Sequence, residues 1–404
     1  MKMAKRSTGN NRTDQWQTLV YLCKLVLSEH FESAADSPDW QSVNWENVLS
    51  LAGQHRVRPI INMGINLVKS KARIPDEIIV KLQEYHSQRG HENLLHAREL
   101  IHLIKAMREK GVEVIPYKGA VLAQCAYNDI GSREMSDIDF LMKLEEFPLV
   151  RDILLEKGYV PSKNVPEEFE PLFFRQNFQY NFDLYQGSRR LFHVEPHWKI
   201  GLRQWQTDLE FAAIKPFTSK KHFYGTEINM LTPEGLLITT CLHHGGEDRW
   251  KSLKYICDVA AILFRFEKEL NWELLLNETR RIKVINLILM GVGLAVTTFN
   301  APVPKHVGQL TTKEKIATHV TKANDQLKSG NRQASVDSYL KHVKFHFSLR
   351  KSPITKLKVL YYHFIRIFTP TIYDINDERT AGKKYWWLFV TKPFRIWRMH
   401  VKSR

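Results

Sequence analysis

Cysteine is scarce in this chain, four residues in 404, and Cys23, Cys125, Cys241 and Cys257 form no CxxC pair. Such scatter excludes a zinc ribbon or a disulfide framework and predicts reduced, buried thiols, as in a cytoplasmic protein. No run of 18 or more apolar residues occurs, so no membrane span is predicted. The opening MKMAKRSTGNNRTDQW is basic and polar and lacks the apolar stretch of a secretory leader. Low-complexity tracts and internal repeats are absent. With 43% hydrophobic and 25% charged residues, the composition is that of a folded chain. A sequence of this length buries a large core and is expected to hold two or three structural units.

Acidic residues are also short, 43 against 59 Lys and Arg, for a formal net charge of +16. The imbalance is local. Over residues 301–404, 21 Lys and Arg face 6 Asp and Glu, a net of +15, so the rest of the chain is close to neutral. This argues against a basic cleft spread over the whole protein and for a basic C-terminal surface.

What is present is a change of period. Through residues 13–110, WQTLVYLCKLVL, WENVLSLAGQHRV, IINMGINLVKS and the long DEIIVKLQEYHSQRGHENLLHARELIHLIKAMREKG repeat apolar residues every three or four, which predicts helices. Pro75 before Asp76 and Glu77 marks the start of the longest, and Gly111 its end. GVEVIPYKG then alternates as a strand, AVLAQCAYND returns to helix, SDIDFLMK is a second strand and EEFPLVRDILLEKGY a helix. NFQYNFDLYQ and RRLFHVEPHWKI, parted by Gly187-Ser188, predict a hairpin. From Pro233 onward the pattern is helical. The expected fold is α/β in the α+β sense, a small mixed sheet between helical regions. Its expected parts are a helical region 1–110, a core 111–232, a helical region 233–300 packing on the core, and a basic, aromatic-rich helical region 301–404.

The chemistry concentrates in GSREMSDIDFLMK. In a strand, Asp137 and Asp139 project to one side and Ile138 and Phe140 to the other. Two carboxylates that close repel and resist burial unless something positive neutralises them. Water at an edge strand would do so, and a divalent ion would do it better. Relief of that repulsion predicts that neutralising either acid raises the melting temperature in the absence of metal. The surroundings favour the ion. Lys118-Gly119-Ala120 turns from a strand into a helix, where backbone N–H groups can hold a phosphate. A further acid, Glu195, lies in LFHVEPHW, with Asp183 of YNFDLY as its rival. Three carboxylates around two Mg²⁺ ions make a frame for phosphoryl transfer.

These residues resemble the uncharacterised nucleotidyltransferase-like proteins of bacteria, distant members of the DNA polymerase beta type nucleotidyltransferase superfamily. The likeness rests on Lys118-Gly119, Leu122, Tyr127, Arg133, Asp137 and Asp139, then on Glu195, His197 and Trp198. It continues in LLITTCLHHGGEDRWKSLKYICDVAAIL, with His243 or His244, Trp250 and Asp258, and covers roughly residues 45–266. Two departures stand out. Gly119-Ala120 replaces the Gly-Ser or Gly-Gly turn of better-known members, and the gap from Gly119 to Asp137 is longer than in minimal enzymes. The resemblance implies transfer of a nucleoside monophosphate from an NTP to an acceptor hydroxyl with Mg²⁺ or Mn²⁺. It implies Asp137, Asp139 and Glu195 as metal and catalytic residues, and Lys118, Gly119, Ala120 and Arg133 at the nucleotide. His197 and His243 are candidates for the acceptor side. The base of the NTP and the acceptor (sugar, small molecule, protein side chain or RNA end) are left open.

Plainer readings stand beside these. Lys118 and Arg133 can simply balance Asp137 or Glu134. Adjacent histidines point apart on a helix, so His243 and His244 read first as a helix end, and Asp258 reads as a buried, partnered acid. The whole chain can also be a non-catalytic scaffold of the same fold or a basic-tail nucleic-acid binder. In the tail, LKVLYYHFIRIF and KKYWWLFVTKPFRIWRMHVKSR mix aromatic groups with cations such as Lys383, Lys384, Arg395 and Arg398. Packing on the body is the first expectation, an anionic membrane surface the second, nucleic acid the third. The expected location is cytoplasmic, with the membrane periphery as its variant.

Overall fold

A computed structural model describes residues 4–28, 37–329, 336–350, 352–375 and 385–402. The fold is α+β, as expected. The chain divides into two compact units, each made of two separate stretches: Met1–Phe140 with Ile214–Asn331, and Leu141–Ala213 with Arg332–Arg404. These units follow contacts rather than chain order, so they cut across the four consecutive parts read from the sequence.

In the first unit the long helix runs Asp76–Glu109, with Pro75 at its N-cap and Asp76 and Glu77 in its first turn. Gly111, at φ +79°, takes the left-handed conformation that ends it. Strand β1 is only Ile115–Pro116. The Gly119–Tyr127 helix follows and stops at Asn128, also left-handed. Strand β2, Ile138–Leu141, is buried throughout and lies beside β1. Its other residues are apolar, so the one polar residue needs a specific partner.

Helices beyond Pro233 complete this unit. Pro233–Cys241 starts at a Thr232 cap and runs into a π-helical turn, Leu242–Glu247. Arg249 and Trp250 then adopt positive φ, and Leu253–Arg265 packs its Ile256, Val259 and Leu263 inward. The Trp250 ring fills a slot whose walls are glycines. A Cβ at Gly245 would come 2.8 Å from its Cζ2, and one at Gly291, on the Ile285–Phe299 helix, 2.7 Å from its Cη2. Gly245→Ala and Gly291→Ala are therefore expected to lose about 1–3 kcal/mol each by overpacking. Urea unfolding measures this, and midpoints equal to the parent protein would contradict it.

In the second unit, the Leu141 end of β2 is followed by Met142, whose N–H donates to the His197 carbonyl at 2.8 Å. Strands β3 (Val160–Pro161), β4 (Phe182–Gln186) and β5 (Arg189–His197) are antiparallel neighbours in that order. The β4–β5 hairpin turns at Gly187-Ser188 as read from the sequence, and its register sets Asp183 opposite His193. Phe147, Phe174, Tyr180 and Trp198 form the core behind it, with Phe174 edge-on to Trp198 at 5.2 Å. The helices Val336–Leu349, Pro353–Phe368 and Tyr385–Lys402 belong here. Lys383 and Lys384 lie outside the described residues.

A second hairpin, β6 (Thr218–Phe223) and β7 (Thr226–Leu231), belongs to the first unit and was not expected from the sequence. Its turn residues Tyr224 and Gly225 have φ of +44° and +78°, the pattern of a tight two-residue hairpin.

Candidate active site

Strand β2 begins at Ile138, so Asp137 sits just ahead of it, half-buried, while Asp139 lies within it and is buried. The Asp139 carboxylate has a cation beside it. Lys118 Nζ stands 2.7 Å from Asp139 Oδ1, with side-chain exposures of 7% and 1%. A buried carboxylate costs several kcal/mol if left alone, and a lysine at contact distance offsets that cost. Lys118 also lies 5.1 Å from the Tyr117 ring centroid, which helps hold the ammonium in place.

Gly119 explains the turn. Its φ is +52°, and a Cβ there would lie 3.3 Å from the Asp137 carbonyl oxygen. Only glycine accepts that conformation and that approach without strain. The turn therefore presents the start of the Gly119–Tyr127 helix directly against the Asp137 backbone, with Ala120 buried behind it.

Arg133 pairs with Asp258, and not with Asp137 or Glu134. Its Nε and Nη2 donate to Asp258 Oδ1 and Oδ2 at 2.9 and 3.1 Å. Tyr127 Oη donates to the same Oδ1 at 2.7 Å, and His244 Nε2 lies 2.9 Å from Oδ2. Arg133, His244 and Asp258 are buried, and Tyr127 is half-buried. Burial opposes the Asp258 charge, but the Arg133 guanidinium outweighs it and holds the carboxyl well below the usual carboxylate range. Burial pushes His244 down despite its bond to Asp258. Lys254, one helical turn before Asp258, is pushed down to about 7 by burial and by the nearby Arg133. Glu134 instead faces Arg56 at 3.7 Å. Asn93 Nδ2 ties the loop down by donating to the Ile130 and Arg133 carbonyls at 2.7 and 2.8 Å. Asp258 is thus a partnered buried acid whose main partner is the arginine read as a phosphate contact.

His243 is partly exposed, 3.7 Å from Asp248 through Nε2. The ligand-capable atoms of His243, His244 and Asp248 lie within 4.8 Å of one another. The grouping sits on the π-turn and the residue that follows it.

Glu195 has its own network in the second unit. It accepts from Asn181 Nδ2 at 3.0 Å, and His193 Nε2 lies 3.2 Å from the same oxygen. His193 Nδ1 is 2.6 Å from Asp183, which also accepts from Ser162 Oγ at 2.6 Å and Arg190 Nη1 at 3.2 Å. His197 Nε2 lies 3.6 Å from the other Glu195 oxygen. Asp183, the rival third acid, spends its oxygens on these three partners.

The bond to Glu195 raises His193 to about 9, helped by Asp183 and opposed by burial. Its folded value lies above the ordinary 6.5, so the stability it contributes is complete below about 6.5 and lost as pH rises through about 9. In EDTA, the stability gap between the parent and His193→Gln should narrow from pH 6.5 to 9.5. A gap constant over that range would contradict the charged link.

Sequence reasoning did not find the links from Tyr127 and Lys254 to Asp258, or the Asp183–His193–Glu195 chain. The helical spacing of Lys254 and Asp258 was the available signal for one. The alternation His193, Glu195, His197 on one strand face was the signal for the other.

A family model described as an uncharacterised nucleotidyltransferase matches residues 41–300. No curated protein and no solved structure matches the chain.

Proposed function

Because this chain belongs to the uncharacterised nucleotidyltransferase family, we propose that it moves a nucleoside monophosphate from an NTP to an acceptor hydroxyl, releasing pyrophosphate. The observation that carries this reading is the Lys118-Gly119 turn set against Asp137 and Asp139. Glycine leaves a niche there that a Cβ would fill, and the donors beside it are hard carboxylate oxygens, which suit Mg²⁺ or Mn²⁺. Asp137 and Asp139 would hold the ion, with Glu195 as the third acid. When bound, the ion neutralises triphosphate oxygens and makes the acceptor hydroxyl easier to deprotonate.

The chain's own groups have separate tasks. Gly119 and Ala120 offer backbone N–H groups to a phosphate at the helix start. Lys118 orients Asp139 and is at hand to meet phosphate oxygens. Glu195 takes the acceptor's proton, its carboxylate held in place by Asn181 and His193. Arg133 acts as a positioning residue, fixing through Asp258 the loop that leads into β2.

The test is a screen of labelled NTPs with Mg²⁺ or Mn²⁺ against cell extract, followed by Glu195→Gln. That variant should lose at least about 100-fold in turnover while NTP affinity changes by less than about threefold. Loss of affinity instead would remove Glu195 from the chemical step. The Lys118–Asp139 pair also favours a second reading, a non-catalytic binding protein of the same fold, because it satisfies the buried acid without any ion. Nucleotide binding equal with and without divalent metal would favour that reading.

A further inference from the structure

The second unit carries an apolar surface that neither its core nor the proposed reaction uses. The Pro353–Phe368 helix buries Thr355, Val359 and His363 along one stripe. Its opposite side is exposed and apolar: Ile354 68%, Leu357 67%, Tyr361 54%, Phe364 61% and Phe368 42%. Spacings alternating between three and four keep these five on a single line. Leu360 and Ile367 widen it. At about 100° per residue, Lys356 and Lys358 fall on its two borders. In the same unit Trp386, Val390 and Phe394 repeat the arrangement at spacing four on the Tyr385–Lys402 helix, while Leu388 and Lys392 between them are buried.

Charge goes with it. Residues 341–373 include seven Lys and Arg and no Asp or Glu. Against the Pro353–Phe368 helix lies a cavity of about 410 Å³ whose lining includes Tyr362, Arg175, Arg203 and Arg366 and no acid. The Arg203 guanidinium lies over the Tyr362 ring at 4.9 Å.

We propose that this face docks on an anionic lipid membrane. An apolar stripe bordered by lysines matches the headgroup boundary, where rings and aliphatic groups enter the acyl region and cations snorkel to phosphate. The guanidinium-lined cavity beside it suits a phosphate headgroup. A second copy of the chain would have to bring two strongly basic faces together, which like-charge repulsion opposes. Among the described residues no helix is long and apolar enough to cross a membrane, so the contact is interfacial.

The experiment is co-sedimentation of the full chain with vesicles of phosphatidylcholine alone or with about one third phosphatidylglycerol, at low and high salt. The parent should sediment with the anionic vesicles, and high salt should weaken that binding. Leu357→Ser/Phe364→Ser and Lys358→Gln/Arg366→Gln change exposed or half-exposed positions, and circular dichroism and melting check that each still folds. Each double variant is expected to bind the anionic vesicles at least about tenfold less tightly. The proposal is overturned if the folded parent ignores anionic vesicles. It is equally overturned if Leu357→Ser/Phe364→Ser converts a dimer into a monomer, by light scattering, without changing vesicle binding.

Discussion

Asp137→Asn and Asp139→Asn are each expected to abolish Mg²⁺-dependent NTP binding, a loss of at least about 100-fold, while the protein stays folded. Each removes one of the negative charges that would hold a divalent ion, and a neutral amide oxygen is a far poorer ligand. The two should differ in stability. Asp137 is half-buried, and relief of repulsion leaves its variant as stable as the parent or slightly more so. Asp139 faces Lys118 at 2.7 Å with both side chains buried, so its variant strands an ammonium. That should cost about 1.5–3 kcal/mol, the scale of a hydrogen bond to a charged group. Relief of repulsion, expected from the sequence for both substitutions, is therefore predicted only for Asp137. Calorimetry with Mg²⁺ and melting without it separate the two effects. Unchanged nucleotide affinity in both variants would end the catalytic reading.

Asp258→Ala should be the most damaging single change outside the acid pair. It leaves Arg133 buried without its carboxylate and removes the partner of Tyr127 and His244. Breaking a buried ion pair from one side costs about 3–5 kcal/mol, a large share of the roughly 5–15 kcal/mol that holds a domain together. The paired change Arg133→Met/Asp258→Leu removes both charges and should be less destabilised than Asp258→Ala alone. Urea unfolding at pH 7 provides the comparison. An Asp258→Ala protein within about 1 kcal/mol of the parent would show that the network contributes little.

What could be read from the sequence was local. Pro75 with Asp76 and Glu77 announced the long helix because cap and dipole preferences act within one turn. Gly187-Ser188 announced the β4–β5 hairpin, but not the bulge at Leu184/Tyr185 that shifts its register and brings Asp183 opposite His193. Tyr224-Gly225 carried the same information for β6–β7, but Lys220 and Lys221 masked the alternation around it. Lys118, Gly119, Asp137 and Asp139 were legible as a set because chain proximity and strand period bring them together. Arg133 and Asp258 were each noticed, yet not as partners: they are 125 residues apart and only the packed helices join them. The π-turn at Leu242–Glu247 was not legible either: the Trp250 ring beside it packs against Gly291, which lies on a later helix.

Each compact unit is assembled from two stretches that alternate along the chain, with one division falling inside β2 between Phe140 and Leu141. On a ribosome adding about 5–20 residues per second, the first unit's opening 140 residues must wait for its second stretch. Asp258 and Lys254 emerge only after the other unit's first stretch has been made. During that interval Arg133 and the apolar faces of the early helices lack their native cover, and they are the surfaces a chaperone would meet first. No single cut of the gene can therefore release either unit whole; producing the first unit alone requires a linker that joins Phe140 to Ile214.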